Sequence, residues 1–117
     1  MNTEEFILTI KKVVEDTTIS NLLEELDETT LPSEKLKRMS LLYNKLSLED
    51  REVLKEIITE SAQSALFGFF CVLDGVRAIE DGPDKGRLEL WYKNDNDGQA
   101  HILNNQDVEF MHDIYNS

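Results

Sequence analysis

Residues 80–104, EDGPDKGRLELWYKNDNDGQAHILN, hold the change of period that decides the fold. Glu80-Asp81-Gly82-Pro83-Asp84-Lys85-Gly86 is a turn, since it collects residues that supply positive φ or lock φ. After it the chain alternates with a period of two. Leu88, Leu90 and Tyr92 fall on one side, and Arg87, Glu89, Trp91 and Lys93 on the other. Asn94-Asp95-Asn96-Asp97-Gly98 reads as a five-residue hairpin loop, and Gln99 to Asn104 as the return strand. That pairing sets Trp91 opposite His101 and Leu90 opposite Ile102. It predicts a core face of Leu88, Leu90, Tyr92, Ala100 and Ile102, and a mixed face of Glu89, Trp91, His101 and Leu103.

Everything before this stretch reads as helix. Asn2 with Glu5 fits a capping box ahead of an apolar stripe of Phe6, Ile7, Ile10, Val13 and Val14. A break is expected near Asp16-Thr17-Thr18, with Thr18 capping a second helix through Ile19, Leu22, Leu23 and Leu26. Residues 27–30 read as a loop. Leu31-Pro32-Ser33 then opens a helix with Leu36, Met39, Leu42 and Leu46 inward. Ser47 and Asp50 form another cap, and the longest stripe follows, from Val53 to Leu73. An unbroken helix over residues 48–80 would be about 50 Å long, more than one small domain can cover, so a break or bend is expected near Glu60 to Ser64.

The segment after Ser64 is apolar all round and is expected to be the central, buried helix. Spacing of i, i+4, i+7 across Gly75 predicts that it runs on to about Glu80. The alternative ends it at Asp74-Gly75 and makes Val76–Glu80 a strand, which would extend the hairpin to a three-stranded meander. After the hairpin, Asn104 or Asn105 caps a C-terminal helix through Val108, Met111, Ile114 and Tyr115. The fold class is therefore α+β and mostly α: a helical N-terminal two-thirds, a late antiparallel β-hairpin and a C-terminal helix. With no linker, repeat or low-complexity stretch, residues 1–117 read as a single domain.

The charge balance narrows the function. The chain has 24 acidic and 12 basic residues, net −12. Residues 1–60 carry 14 acids and 8 bases, and residues 61–117 carry 10 and 4, so each half is net −6. A field of this sign opposes nucleic acid and anionic membrane and favours a basic protein partner. The opening residues lack a basic region followed by an apolar one, and the longest apolar run, Ala65 to Leu73, is nine residues. Neither a secretory signal nor a membrane span is expected, and a cytoplasmic location follows by elimination.

No spacing supports catalysis or a cofactor. Aligning Gly98 with the invariant glycine of an EF-hand loop puts Asp97 and Asp95 at positions five and three, but Lys93 at one and Asn104 at twelve, so two ligands fail. His101 and His112 share no metal-ligand spacing, although a site built from both with a carboxylate defines an enzyme or metal-protein alternative. Cys71, the one cysteine, sits in an apolar run that should make it buried and inert. Lys85-Gly86-Arg87 is too short for a phosphate loop. No catalytic residue, metal or cofactor is therefore assigned.

What remains is a binding surface. Trp91 on the mixed hairpin face is a candidate anchor, because tryptophans dominate interface energies. The opposite arrangement has the C-terminal helix folding over that face and burying Trp91 against Met111 and Tyr115. Near Trp91 in sequence lie Glu89, Asp74, Glu80, Asp81 and Asp84, offset by Arg77 and Lys85. Trp91, Glu89, Asp81, Asp84, Glu80 and Asp74 are thus the candidate partner-binding residues.

In size, acidity and lack of catalytic spacing the chain resembles the immunity proteins of bacterial toxin–immunity systems, a similarity of type carried by no motif. Nucleic-acid mimics of the antirestriction type and phage-encoded inhibitors fit the same outline. The resemblance implies a small cytoplasmic module that occludes a basic partner. The alternative from another class is a structural homo-oligomer, a homodimer for instance, joined through the apolar Leu66–Leu73 segment with Phe67 and Cys71 off the main stripe.

Overall fold

The computed structural model describes residues 1–28 and 32–117. The described chain is helical to residue 73 and forms two compact units, one of residues 12–63 and one of residues 1–11 with 64–117. Both boundaries fall inside helical segments, which is why composition carries no mark of them. The α+β class, mostly α with one antiparallel hairpin and a short C-terminal helix, is the observed architecture.

Helix α1 (Thr3–Ile10) begins on the expected capping box. The Asn2 side chain accepts from the Glu5 N–H at 2.8 Å, and Glu5 accepts from the Asn2 N–H at 3.4 Å. The break expected near Asp16 does not occur. A π-helical segment, Lys11–Asp16, leads straight into α2 (Thr17–Asp27), and Thr18 caps nothing. A π turn holds more residues than an α turn, so the apolar stripe loses its phase. Val13 and Val14 turn outward, 59% and 42% exposed, and Glu15 is buried in their place. The Thr17 hydroxyl donates to the Lys12 carbonyl five residues back.

In the unit of residues 12–63, α2 lies against α3 (Glu34–Lys45). Ser33 caps α3 as expected, its hydroxyl accepting from the Leu36 N–H at 3.1 Å. The expected opening at Leu31 and the loop residues Thr29 and Thr30 lie outside the described residues. The inward face is corrected by one position: Tyr43 is buried and Leu42 is 60% exposed. The polar partners of α2 explain the choice. The Ser40 hydroxyl reaches the carbonyls of Leu26 (3.0 Å) and Glu28 (2.7 Å), and the Asn44 amide donates to Leu26 O at 3.2 Å. Ser40, Tyr43 and Asn44 share one helical face, so satisfying the end of α2 turns Leu42 out.

Helix α4 (Leu48–Leu73) runs unbroken for 26 residues, with Ser47 accepting from the Asp50 N–H at 3.1 Å. No break interrupts the helix near Glu60 to Ser64. The expectation of one rested on the width of a single core, and residues 48–63 and 64–73 belong to different units. The segment after Ser64 is buried on most sides, as expected: Gly68, Phe70 and Leu73 are buried and Leu66, Phe67, Cys71 and Val72 partly so, with Phe69, 56% exposed, on the open side. Among the described residues α4 is the one helix long and apolar enough to cross a membrane by length and composition, and 22% of its most apolar window is buried.

The second unit carries the hydrophobic core: Ile7 from α1, Phe70 and Leu73 from α4, Leu103, and Met111 and Tyr115 from α5 (Met111–Tyr115). Phe70 and Tyr115 pack with ring centroids 5.4 Å apart. Helix α4 ends at Leu73 and does not continue to Glu80. Gly75 takes φ +76°, its N–H donates to Val72 O, and the Val76 N–H donates to Cys71 O, a Schellman closure. Residues 76–90 then form neither helix nor strand, so no third strand joins the sheet.

The hairpin pairs β1 (Trp91–Asn94) with β2 (Gln99–Ile102) in a register one residue from the expected one, with Trp91 opposite Ile102 and Tyr92 opposite His101. Asn94 belongs to the ladder and not the loop. Its carbonyl accepts from the Gly98 N–H at 2.9 Å and its side chain from the Asn96 N–H at 3.0 Å, which closes a four-residue loop. A one-residue slip exchanges the faces of the slipped strand. Leu90, Tyr92 and Leu103 thus face the core, while Trp91 shares the outer face with Ile102. Leu88, expected inside, is 45% exposed.

Asn104 does not cap a helix. It is buried, donates to the carbonyls of Leu73 (2.7 Å) and Leu88 (3.0 Å), and accepts from the Leu90 N–H at 2.8 Å. One side chain thereby joins the end of α4 to the end of the irregular segment just before β1. Removing it strands three polar groups. Asn104→Ala is expected to lower unfolding free energy by about 3–5 kcal/mol in denaturant titration, and neighbouring Asn105→Ala by less than about 1 kcal/mol.

Candidate functional site

Trp91 stands on the outer hairpin face and is 50% exposed. Of the two arrangements open from sequence, the exposed one is observed. Helix α5 does not cover this face because it is only five residues long and is pinned elsewhere by its own N-terminus. Trp91 lines a groove of about 230 Å³ with Arg87, Leu88, Glu89, Ile102, Asn104, Asn105, Gln106 and Asp107. Arg87 and Glu89 form an ion pair at 3.4 Å, so Asp107 is the unbalanced charge along the groove. An aromatic ring over a small groove with amide and carboxylate walls offers an apolar contact ringed by hydrogen-bonding groups. It offers no nucleophile and no acid–base pair.

Of the six candidate residues, the groove gathers Trp91 and Glu89. Asp81 and Asp84 are exposed on the irregular segment and line neither the groove nor its neighbour. Glu80 lines a second cavity, where its carboxylate accepts from the Gly86 N–H at 3.4 Å. Asp74 has to be withdrawn from any surface role. It is 1% exposed and holds the start of α5, accepting from the N–H groups of Met111 and His112 at 2.9 Å each and from His112 Nδ1 at 2.5 Å. A carboxylate at a helix N-terminus answers the unpaired N–H groups there, and this one arrives from outside the helix.

The two histidines do not meet at a common centre. His112 lies between Asp74 and the rings of Phe67 and Phe110. The ring of His101 packs on Tyr92 at 5.7 Å, and its Nε2 contacts the Met1 carbonyl at 2.5 Å. Among the described residues no three His, Cys, Asp or Glu side chains converge as a metal site would require. Cys71 is partly buried; burial pushes its thiol pKa up, and the Asp74 carboxylate adds to the shift.

Sequence reading missed Asn105, Gln106 and Asp107, which reach the groove only because the described C-terminal helix begins at Met111 and leaves them in a turn. It also missed the second cavity. This one has about 350 Å³ and is lined by Arg77, Lys85 and Arg87 with Val72, Leu73, Ile79, Leu88 and others. The available signal was the clustering of three cations within residues 77–87 of an acidic chain. In comparisons with protein-family models, curated proteins and solved structures, nothing matches this chain.

Two measurements test this description. Trp91 is the sole tryptophan, so its native fluorescence should be readily quenched by acrylamide, and more by caesium than by iodide because the surrounding protein is net acidic. A strongly protected indole would contradict the exposed placement. Cys71 should react with iodoacetamide at neutral pH more slowly than free cysteine, because its raised pKa leaves less thiolate. The rate should recover on unfolding and climb as the pH is raised.

Proposed function

We propose that this protein is a non-enzymatic binding module of the immunity or inhibitor type, which acts in the cytoplasm by occluding a basic protein partner. The observation that carries the reading is the half-exposed Trp91 beside a groove on the outer hairpin face. An indole held open on a two-stranded sheet has two torsions to immobilise and a large area to bury, which suits an interface anchor. Glu89 and Asp107 at the groove, with Glu80, Asp81 and Asp84 nearby in the chain, supply charges that a basic surface would pair. The net charge of −12 adds long-range attraction that speeds encounter. The same field argues against nucleic acid and anionic membrane as targets.

A homo-oligomer is the second reading, and one observation favours it. Val53 and Ile57, one turn apart on α4, are 50% and 56% exposed. Apolar pairs of this kind on a long helix are covered in many dimers.

The test uses the full chain as bait in its native lysate. A basic protein should be retained at low salt and released as ionic strength approaches about 1 M, where the Debye length is near 3 Å. Trp91→Ala should weaken that complex by about 2 kcal/mol, roughly 30-fold, while leaving thermal unfolding nearly unchanged. Retention unaffected by Trp91→Ala, or no basic partner even at low salt, would remove the proposal. Sedimentation of the purified protein at micromolar concentration decides the second reading: a stable dimer that Ile57→Lys dissociates supports it, and a monomer ends it.

A further inference from the structure

Residues 61–117 hold four cationic side chains against ten acidic ones. Three of the four, Arg77, Lys85 and Arg87, line a single cavity, and of the ten acids only Glu80 shares it. With Glu89 counted as the partner of Arg87, the local excess is one positive charge inside a molecule of net charge −12. Like charges drawn together raise the free energy of the folded chain unless something else occupies the space between them. Among the described residues only Glu89 pairs with one of them, Arg87. Glu80 turns its carboxylate to the Gly86 N–H and closes the Glu80–Gly86 loop on itself. Neither Arg77 nor Lys85 is in an ion pair among the described residues, and Arg87 has only Glu89 at 3.4 Å with its own side chain 75% exposed.

The seat of these cations is shaped by the fold. A side chain at Gly68, buried on α4, would collide with Nη1 of Arg77, so the glycine leaves room for the guanidinium against the helix. The Schellman turn at Gly75 brings the chain back beside its own helix end, and Val72, Leu73, Ile79 and Leu88 supply apolar walls. Gln106 adds an amide. A volume of about 350 Å³ lies within the range of small-ligand sites, which combine apolar walls with a few convergent polar groups.

We infer that this cavity binds a small phosphate monoester, a dianionic head on a compact apolar body. Guanidinium and ammonium donors suit phosphate oxygens, Arg77 and Lys85, in no ion pair among the described residues, offer two charges to a dianion, and the apolar walls take up the ester group. The cavity adjoins the Trp91 groove, with Arg87, Leu88 and Gln106 lining both hollows, and the inference does not rest on the proposed function.

Phenyl phosphate is the probe, followed by ¹⁵N–¹H correlation spectra of the full chain at constant ionic strength near 0.15 M, where charges more than about 8 Å away are largely screened. Saturable shifts are expected at Gly75, Ala78, Gly86, Arg87 and Gln106. Inorganic phosphate, which lacks the apolar body, and benzoate, which lacks the second charge, should each bind more weakly. Lys85→Gln and Arg77→Gln should each lower the affinity roughly tenfold, and unmoved cross-peaks from the hairpin and α5 would confirm that both variants fold. Lys85 is in no ion pair among the described residues, so its variant stands even where Arg77→Gln perturbs the packing over Gly68. Shifts that do not saturate, that appear equally at Lys45 and Lys93, or that persist in the Lys85→Gln variant overturn the inference. Benzoate binding as tightly as phenyl phosphate overturns the dianion, and a phosphotyrosine peptide binding far more tightly overturns the small molecule.

Discussion

The carboxylate of Asp74 is the contact on which the core-bearing unit depends. It sits where α4 stops, it is buried, and it accepts three hydrogen bonds from the first residues of α5. A five-residue helix cannot hold itself together, because its hydrogen-bonded turns barely repay the cost of nucleation. Its N–H groups also have no local cap, since Phe110 precedes it. The carboxylate meets both needs. With α5 anchored, Met111 and Tyr115 reach the core against Ile7 and Phe70. One residue further along the same turn, Gly75 reverses the chain, and the carbonyl just before it, of Leu73, is taken by Asn104. The end of one helix and the start of another are thereby closed by two side chains distant in sequence.

The unit of residues 12–63 solves the same problem with other residues. Neither α2 nor α3 ends on a glycine, so their last carbonyls have no left-handed turn to close on. Ser40 and Asn44 of α3 take the carbonyl of Leu26. Arg51 of α4 donates to the carbonyls of Tyr43 and Asn44, at 3.1 and 3.2 Å, with its guanidinium 5.0 Å above the Tyr43 ring. Each helix is finished by the element that follows it. A buried backbone group without a partner costs about as much as a lost hydrogen bond, so these polar side chains set the packing phase of their helices. The exposure of Leu42 in favour of Tyr43 is the visible consequence.

That division explains what could be read from the sequence. Caps formed within three residues, at Asn2, Ser33 and Ser47, were legible because donor and acceptor lie in one local pattern. So was the change of period after Gly86, and with it the α+β class. The caps supplied from a distance were not. Asp74 looked like a surface acid because its partners stand 37 and 38 residues away, and Asn104 looked like a local cap for the same reason. The hairpin register turned on whether Asn94 closes the loop or pairs in the ladder, a choice made by two short hydrogen bonds that composition does not rank. At the candidate site Trp91 was legible as the one tryptophan on an alternating strand. Its exposure depended on the length of α5, and so on Asp74.

Charge gives the final step. A net charge spread evenly over both halves of the sequence selects no site, and the acids singled out near Trp91 illustrate this: Asp74 is buried, Glu80 folds onto its own loop, and Asp81 and Asp84 stand apart from the groove. The informative residues in an acidic protein are the few of opposite sign, because their placement has to overcome mutual repulsion. Here Arg51 is spent on a helix end and Arg87 on Glu89, roles the fold itself accounts for. Among the described residues Arg77 and Lys85 are in no ion pair, yet both line the cavity that Arg87 also borders. Three of the few cations thus share one hollow, and among the described residues two of them are in no ion pair, which is the observation behind the inferred anion site.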